Sequence, residues 1–152
     1  MAVMQSRDTR TEIAGVDLSS AQFKFVTLES DGFVDLANSA GEQCYGVCIV
    51  GGAAGAAVTV VRSGSVMVEA GGTIAAGAAV QAGADGTALA AASGDVVMGY
   101  AKEAGVDGQI VQIELILNRR CGLRLIAVLR LRLRRIGVLA RILTGLLTAG
   151  LC

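Results

Sequence analysis

Residues 70–90 read AGGTIAAGAAVQAGADGTALA, a stretch of glycine, alanine and a few β-branched residues with one charge and no aromatic side chain. Two short apolar runs, AAVQA and TALAA, follow turn signals at Gly71-Gly72 and Asp85-Gly86. Short apolar runs bounded by such dipeptides are typical of β-strands joined by tight turns. The stretch therefore predicts tightly turned β-structure, whose side chains are too small to line a catalytic pocket.

The same pattern extends on both sides of this stretch. QFKFVTLE and FVDLA flank Ser30-Asp31-Gly32, a turn of the type that joins hairpin strands. The further apolar runs are YGVCIV, AAVTVVR, SVMVEA, DVVMGYA and GQIVQIELIL, and their turn signals are Gly51-Gly52, Ser63-Gly64, Ser93-Gly94-Asp95 and Asp107-Gly108. Many short strands at this spacing predict an all-β fold, a small β-barrel or sandwich.

Charge divides the chain into parts. All 13 acidic residues but only five basic residues precede residue 119, a net charge of −8, whereas residues 119–152 contain eight arginines and carry +8. Residues 1–20 are polar and lack periodicity, which indicates an extended N-terminal arm. We therefore predict an arm at 1–20, a β-barrel-like body at 21–118 and a basic, Leu-rich C-terminal tail at 119–152.

Aromatic residues make up only 3% of the chain, so alanine, valine and glycine must fill most of the core. Large aromatic side chains usually dominate core energetics, and an Ala-rich core gains less from burial. The composition predicts a marginal monomer that is stabilised by oligomerisation or by a larger partner. The opening residues MAVMQSRDTRTEIAG resemble no secretory signal, from which we expect an intracellular origin.

The residue types and their spacing argue against catalysis, cofactor binding and metal binding. The chain has no histidine, which removes the commonest general base and metal ligand. VGGAAGAAV lacks the G-x-G-x-x-G spacing and precedes a strand-like run, so a glycine turn between strands is expected there. Cys44 and Cys48 would lie about 13 Å apart in an extended strand, too far for a disulfide, and are expected as buried thiols. We predict no enzyme, no cofactor and no metal site.

Lys102 in GYAKEAG raises a second possibility, a barrel-sandwich carrier of biotin or lipoate. Such carriers present their lysine at a hairpin tip in a Met-Lys-Met or Asp-Lys setting, which this sequence lacks. An exposed lysine beside Glu103 is the favoured interpretation. A non-catalytic β carrier or ligand-binding domain remains an alternative function.

Residues from about Ala21 to Leu115 resemble the capsid decoration, or cement, proteins of tailed phages. The resemblance is carried by VTLESDGFVDLANSAGEQCYGV, by GSVMVEAGGTIAAGAAVQAGADGTALAAASGDVVMGYAKEAG and by the closing GQIVQIEL. It implies a β-barrel-like structural protein of the virion, commonly a homotrimer, on the outer surface of the phage head. Its partner would be the major capsid protein, no small-molecule substrate is implied, and the protein would be made in the cytoplasm of a bacterial host.

In such proteins a polar arm reaches the shell, so Arg7 and Arg10 are candidate interaction residues. The tail departs from the family, whose members often stop near the final strand. Within it Leu129, Leu131 and Leu133 alternate with Arg130, Arg132 and Arg134, the period of an amphipathic strand, and these six are the other candidates.

Three interpretations of the tail stay open. It packs as an added strand or short helix on another chain, it binds nucleic acid or a membrane surface, or it is a reading-frame extension. Central arginines, at a cost of about 2.5 kcal/mol or more each, disfavour a membrane span. The missing aromatic residues disfavour nucleic-acid stacking.

Overall fold

A computed structural model describes residues 4–116, which form nine β-strands and no helix. The strands are β1 (Gln5–Ile13), β2 (Lys24–Leu28), β3 (Val34–Leu36), β4 (Gly46–Val50), β5 (Ala57–Glu69), β6 (Ala79–Ala82), β7 (Ala88–Ala90), β8 (Gly99–Ala101) and β9 (Ile110–Leu115). The predicted all-β fold is confirmed.

All strand pairs are antiparallel and belong to one sheet of order β3-β2-β4-β5-β9-β8-β6-β7, with β1 paired to β5 outside this path. The sheet curls, so that strands near its two ends contact each other. Phe25 on β2 donates its N–H to the carbonyl of Gly86, in the β6–β7 turn, at 2.7 Å. A curled sheet of this kind is a half-barrel, as the barrel-like prediction required.

Most of the predicted turns are present. The β2–β3 hairpin reverses through Gly32 at φ 87°, and Gly86 at φ 75° reverses β6 into β7. Gly94 and Gly108 also adopt positive φ, in the connections before β8 and β9. Glycine is favoured at these positions because other side chains rarely adopt this backbone conformation.

The predicted turn at Ser63-Gly64 is wrong. AAVTVVR and SVMVEA belong to one strand, the thirteen-residue β5, which runs through this dipeptide without reversing. Gly64 does have a positive φ of 99°, but the sheet uses it for an irregularity in the pairing with β1. A Cβ on Gly64 would overlap the carbonyl oxygen of Gln5, so the close approach of β1 requires glycine there.

The central strands are buried on both faces. On β2, β4 and β5, Phe25, Val47 and Val61 belong to one hydrophobic cluster, and their neighbours Val26, Cys48 and Val60 belong to a second. The first cluster extends under β6, β8 and β9, and the second lies beneath residues 14–21. Burial on both faces explains why the centres of these strands are apolar at consecutive positions, FV at 25–26, GVC at 46–48 and VV at 60–61.

A connecting segment, residues 14–23, covers the second cluster and is called the strap. Ala14, Leu18 and Ala21 are its buried side chains. The strap is held by backbone hydrogen bonds from Ala14 to Ala56 and from Leu18 to Gly52. Gly51 lets it approach, because a Cβ at this position would overlap the carbonyl of Leu18. The VGGAAGAAV segment is thus the glycine turn that the sequence predicted, between β4 and β5.

Candidate interaction surfaces

Strand β1 lies at an outer edge of the sheet. It pairs with β5 from Gln5↔Ser65 to Ile13↔Ala57, and β4 and β9 occupy the opposite edge of β5. Most of its side chains are exposed and none is fully buried. This explains why residues 5–13 show no periodicity, since a strand without a buried face has no apolar alternation.

The pairing of β1 contains two irregularities that compensate each other. Arg7 is skipped on β1 between Ser6 and Asp8, and Arg62 is skipped on β5 between the partners of Asp8 and Thr9. Each is an extra residue that bulges out of the ladder. Because one lies on each strand, the original register resumes from Thr9↔Val61 onward.

Arg62 turns from its bulge into the protein. Its guanidinium lies 4.4 Å from the centroid of the Tyr45 ring and 3.7 Å from a carboxylate oxygen of Asp8 on β1. Tyr45 in turn donates its hydroxyl to Glu12, also on β1. The buried cation and the phenol thus tie two carboxylates of β1 to the body.

The predicted interaction residues of the arm are both exposed on β1. Arg10 is 3.2 Å from Asp8 on the same strand, whereas Arg7 forms no ion pair with any residue of 4–116. The other six candidates, Leu129, Arg130, Leu131, Arg132, Leu133 and Arg134, lie outside the described residues. Their role stays a prediction.

A second surface surrounds the β2–β3 hairpin. Leu28 and Val34 pair across it, Glu29 donates its N–H to the carbonyl of Phe33, and Asp31 accepts the N–H of Phe33. The strap joins it where Gly15 donates to the carbonyl of Val34. We call the exposed or partly exposed side chains here the hairpin pole: Val16, Asp17, Leu28, Glu29, Asp31, Phe33 and Asp35.

The hairpin pole combines apolar and acidic groups. Val16, Leu28 and Phe33 are 42%, 48% and 39% exposed. None of its four carboxylates takes part in the ion pairs formed within residues 4–116. Hydrogen bonds from Ser19 lower the pKa of Asp17, which keeps this carboxyl charged.

A third surface lies at the end of β8 and β9 and is called the β8 patch. It consists of the exposed side chains Val96, Val97, Tyr100 and Ile116. Tyr100 pairs with Glu114, and Ile116 donates its N–H to the carbonyl of Met98. The ion pair of Lys102 and Glu114 adjoins it, so this patch carries charge of both signs.

Lys102 contacts partners other than Glu103. Its Nζ donates to the hydroxyl of Ser65 at 2.9 Å and lies 3.8 Å from Glu114, and Ser65 donates to Glu114. A serine nucleophile needs a neighbouring base that accepts its proton. Here the lysine is a donor and the serine is nearly fully buried. The three side chains therefore form a hydrogen-bonded cluster that links neighbouring strands.

Cys44 and Cys48 are buried free thiols, as predicted. Burial, with a smaller effect of Glu42, raises the pKa of Cys44 to about 12, and burial also raises the pKa of Cys48. Both thiols are therefore protonated and unreactive at neutral pH.

The described part of the chain offers no grouping of acidic or cysteine side chains suited to a metal ion. Residues 4–116 contain no helix that is long and apolar enough to cross a membrane.

Sequence reasoning did not identify the contacts that hold β1 or the exposed side chains of the hairpin pole. Arg62 and Tyr45 belong to strand-like runs, and only the folded register brings them together with Asp8. The hairpin itself was predicted from Asp31-Gly32. The sequence could not show that Leu28 and Phe33 stay exposed beside it.

Comparison with known proteins gives a consistent picture. The family model described as "Phage cement protein" matches residues 14–115. A solved structure titled "The crystal structure of head fiber gp8.5 N base in bacteriophage phi29" is similar, with a TM-score of 0.59 and 21% sequence identity over 72% of this chain and 94% of that chain. At this identity the likeness shows the fold. No curated protein sequence matches.

Proposed function

The chain belongs to the phage cement protein family, and from this premise we propose that it binds the outer surface of a phage head and cements neighbouring major capsid proteins. The observation that carries the proposal is the family match over residues 14–115, which coincides with the strap and strands β2 to β9. A structural protein of the phage virion is the function class that this match supports.

The fold suits such a role. Its loops are short, its sheet is curled and buried on both faces at the centre, and its exposed apolar side chains lie in separate surface groups. A clamp between capsid subunits needs broad contacts more than a deep pocket. Small side chains allow strands and turns to lie close to a partner surface.

We also propose a homotrimer, because the core of the body contains only small and medium side chains besides Phe25. Burial in such a core gives limited stabilisation, and association with other subunits would supply additional free energy of stabilisation to the folded state. Within this proposal Arg7 and Arg10 contact the shell. The alternating Leu129–Arg134 segment packs on another chain, mainly through its leucines because exposed arginine pairs are weak.

The test is binding of the purified protein to phage heads prepared without it. Co-sedimentation and head reconstruction would give the copy number and position, and light scattering coupled to size exclusion would give the oligomeric state. Saturable binding at fixed positions on the outside of the head is the expected result. A robust monomer that does not associate with heads would contradict both proposals.

A further inference from the structure

One sheet face of the body is exposed and differs from the hairpin pole in its charge. On β5 and β9, Val66 and Ile113 point into the first cluster, so alternate residues point outward. The register places Ser65, Glu114 and Tyr100 in one row across β5, β9 and β8 on this outward side. We call this surface the outer face, and it consists of Ser65, Met67, Tyr100, Lys102, Ile110, Gln112, Glu114 and Ile116.

Apolar side chains flank the row at both ends of the outer face. Tyr100 and Ile116 are 47% and 45% exposed, and Ile116 lies two residues beyond Glu114, the partner of Tyr100. At the other end Ile110, also exposed, is the diagonal neighbour of Met67 in the β5–β9 ladder. Of the twelve large, mainly apolar side chains exposed in residues 4–116, half lie around β8 and β9: Val96, Val97, Tyr100, Val106, Ile110 and Ile116. Exposed apolar side chains that collect in one region mark interaction sites.

The charged groups of the outer face are paired within the subunit. Lys102 lies 3.8 Å from Glu114 and donates to the hydroxyl of Ser65, which in turn donates to Glu114. Glu103, next to Lys102, accepts the backbone N–H of Gln112. A partner that excluded water from the Lys102–Glu114 pair would leave neither charge without a counterion. Burying a paired, hydrogen-bonded charge costs less free energy than burying an unpaired one.

A face with balanced charge suits contact between copies of the same chain. Close to a three-fold axis each side chain meets its own equivalents in the neighbouring subunits, so a surface with charge of one sign repels itself there. The hairpin pole is such a surface, since its four carboxylates form no ion pair within residues 4–116. Strand β1 has a single apolar side chain, Ile13. Of these three surfaces, the outer face is the one that combines several exposed apolar side chains with balanced charge.

Resting on the proposed function, in which the protein is a homotrimer, we infer that the outer face is the surface through which copies of this chain bind one another. The β8 patch lies closest to the three-fold axis, because it is the largest group of exposed apolar side chains on this side of the sheet. Tyr100 and Ile116 are buried by the neighbouring subunits and supply most of the affinity. This contact adds the apolar burial that the small side chains of the core do not provide.

The first experiment removes apolar side chains from the outer face. Tyr100→Ser with Ile116→Ser truncates the β8 patch, and Leu28→Ser with Phe33→Ser is the matched control, because those side chains are exposed to a similar extent on the hairpin pole. Sedimentation equilibrium of the full chain measures association, and circular dichroism verifies the fold of each variant. We expect the concentration of half-dissociation to rise about tenfold for the outer-face variant and to stay within about twofold for the control.

The second experiment distinguishes an ion pair that becomes buried from one that stays exposed. Lys102→Met leaves Glu114 without its cation, whereas Lys102→Met with Glu114→Gln removes both charges. In an interface the single change leaves an uncompensated charge away from water, so association should weaken about tenfold, and the double change should restore it to within about threefold of the wild type. Arg10→Met is the control, since it breaks the exposed pair with Asp8 and should change association less than about twofold. Equal effects of the single and double changes would contradict burial of the pair.

The results separate the subunit interface from the proposed capsid contact. A wild-type chain that stays monomeric at every concentration overturns the inference, whatever its binding to heads. A trimer that the outer-face variants form as well as the wild type also overturns it, as does a trimer that the hairpin control disrupts equally. If the Tyr100 and Ile116 variant stays trimeric but loses head binding, the outer face contacts the capsid and the inference is wrong. A trimer that depends on the outer face but does not bind heads supports the inference and contradicts the proposed function.

Discussion

The guanidinium of Arg62 lies over the ring of Tyr45, 4.4 Å from its centroid, and reaches Asp8 on the neighbouring edge strand. Arg62 is nearly fully buried, which is rare for an arginine and is tolerated when the charge has partners. The ring and the Asp8 carboxylate supply them. The contact joins β1, an exposed strand, to the double-sided centre of the sheet.

Removing this cation should loosen β1. Arg62→Ala deletes a packed stem and a cation–π contact, and we expect the free energy of unfolding to fall by about 2 kcal/mol. Arg62→Met keeps the stem and should lose about half as much. Urea unfolding measures both, and hydrogen exchange of the β1 amides should quicken in each. Arg10→Met is the control, because the exposed pair of Arg10 and Asp8 contributes at most about 1 kcal/mol. An equal loss for Arg10→Met and Arg62→Ala would contradict this account.

Gly46 should not tolerate a methyl group. A Cβ there would overlap the carbonyl oxygen of Val61 and lie 2.6 Å from Cγ1 of Val60, on the strand paired with β4. Gly46→Ala should therefore lower the free energy of unfolding by about 1–3 kcal/mol, as overpacking does. Gly72→Ala is the matched control, since the nearest atom to its Cβ is Cδ2 of Leu89 at 3.5 Å. Thermal unfolding of both variants checks the difference, and a similar Tm for the two would show that β4 can shift.

Asp85 should contribute a pH-dependent part of the stability. The hydroxyl and N–H of Thr87 donate to its carboxylate, and the hydroxyl bond is the main reason that its pKa lies below the ordinary value of 3.8. Because the folded-state pKa is depressed, this stabilisation is present above pH 3.8 and is lost as the pH falls through the folded value.

Asp85→Asn keeps an acceptor for Thr87 but has no charge to titrate. Urea unfolding should find the variant less stable than the wild type at pH 7, with a difference that shrinks toward pH 3. Because Asp85 is largely exposed, we expect a small effect. A difference that stays constant with pH would mean that the charge of Asp85 is not involved.

The two described cysteines should resist alkylation in the folded protein. The pKa of Cys44 is raised to about 12, and that of Cys48 is also raised, so neither forms a thiolate near pH 8. Iodoacetamide followed by peptide mass spectrometry should label both only in denaturant. For Cys44 the folded state favours the neutral thiol, so its contribution to stability is full below pH 9.0 and declines from there toward pH 12. Rapid labelling of either residue at pH 8 without denaturant would show that the sheet opens locally.

Deletion of residues 2–12 should weaken head binding and preserve the fold of the remaining strands. The deleted side chains are mostly exposed, so little core is lost, although β5 gains a free edge and Arg62 loses Asp8. The measurements are co-sedimentation with heads and far-UV circular dichroism. A variant with Arg7→Gln and Arg10→Gln keeps β1 and separates the loss of its charges from the loss of the strand. Unchanged affinity of the deletion variant would remove the arm from the interface.

The sequence was informative where one residue type has one structural use. Asp31-Gly32 and Asp85-Gly86 predicted real reversals, because a positive φ after aspartate is typical of tight turns. Ser63-Gly64 misled, because the positive φ of Gly64 serves a bulge inside β5 and the local sequence does not distinguish the two uses. The strand at Gln5–Ile13 escaped prediction since it buries no face. Exposure of Leu28 and Phe33 depends on how the strap covers its neighbours, which is a long-range property.

The compensating bulges at Arg7 and Arg62 have a consequence for how this protein can change in evolution. Loss of Arg7 alone would shift the preceding residues of β1 by one position and point each side chain to the opposite face. Loss of Arg62 alone would create the same mismatch from the other strand. Single-residue deletions at the two sites should therefore be inherited together: relatives that lack one extra residue should lack the other, and a phage carrying only one deletion should acquire the second as a suppressor.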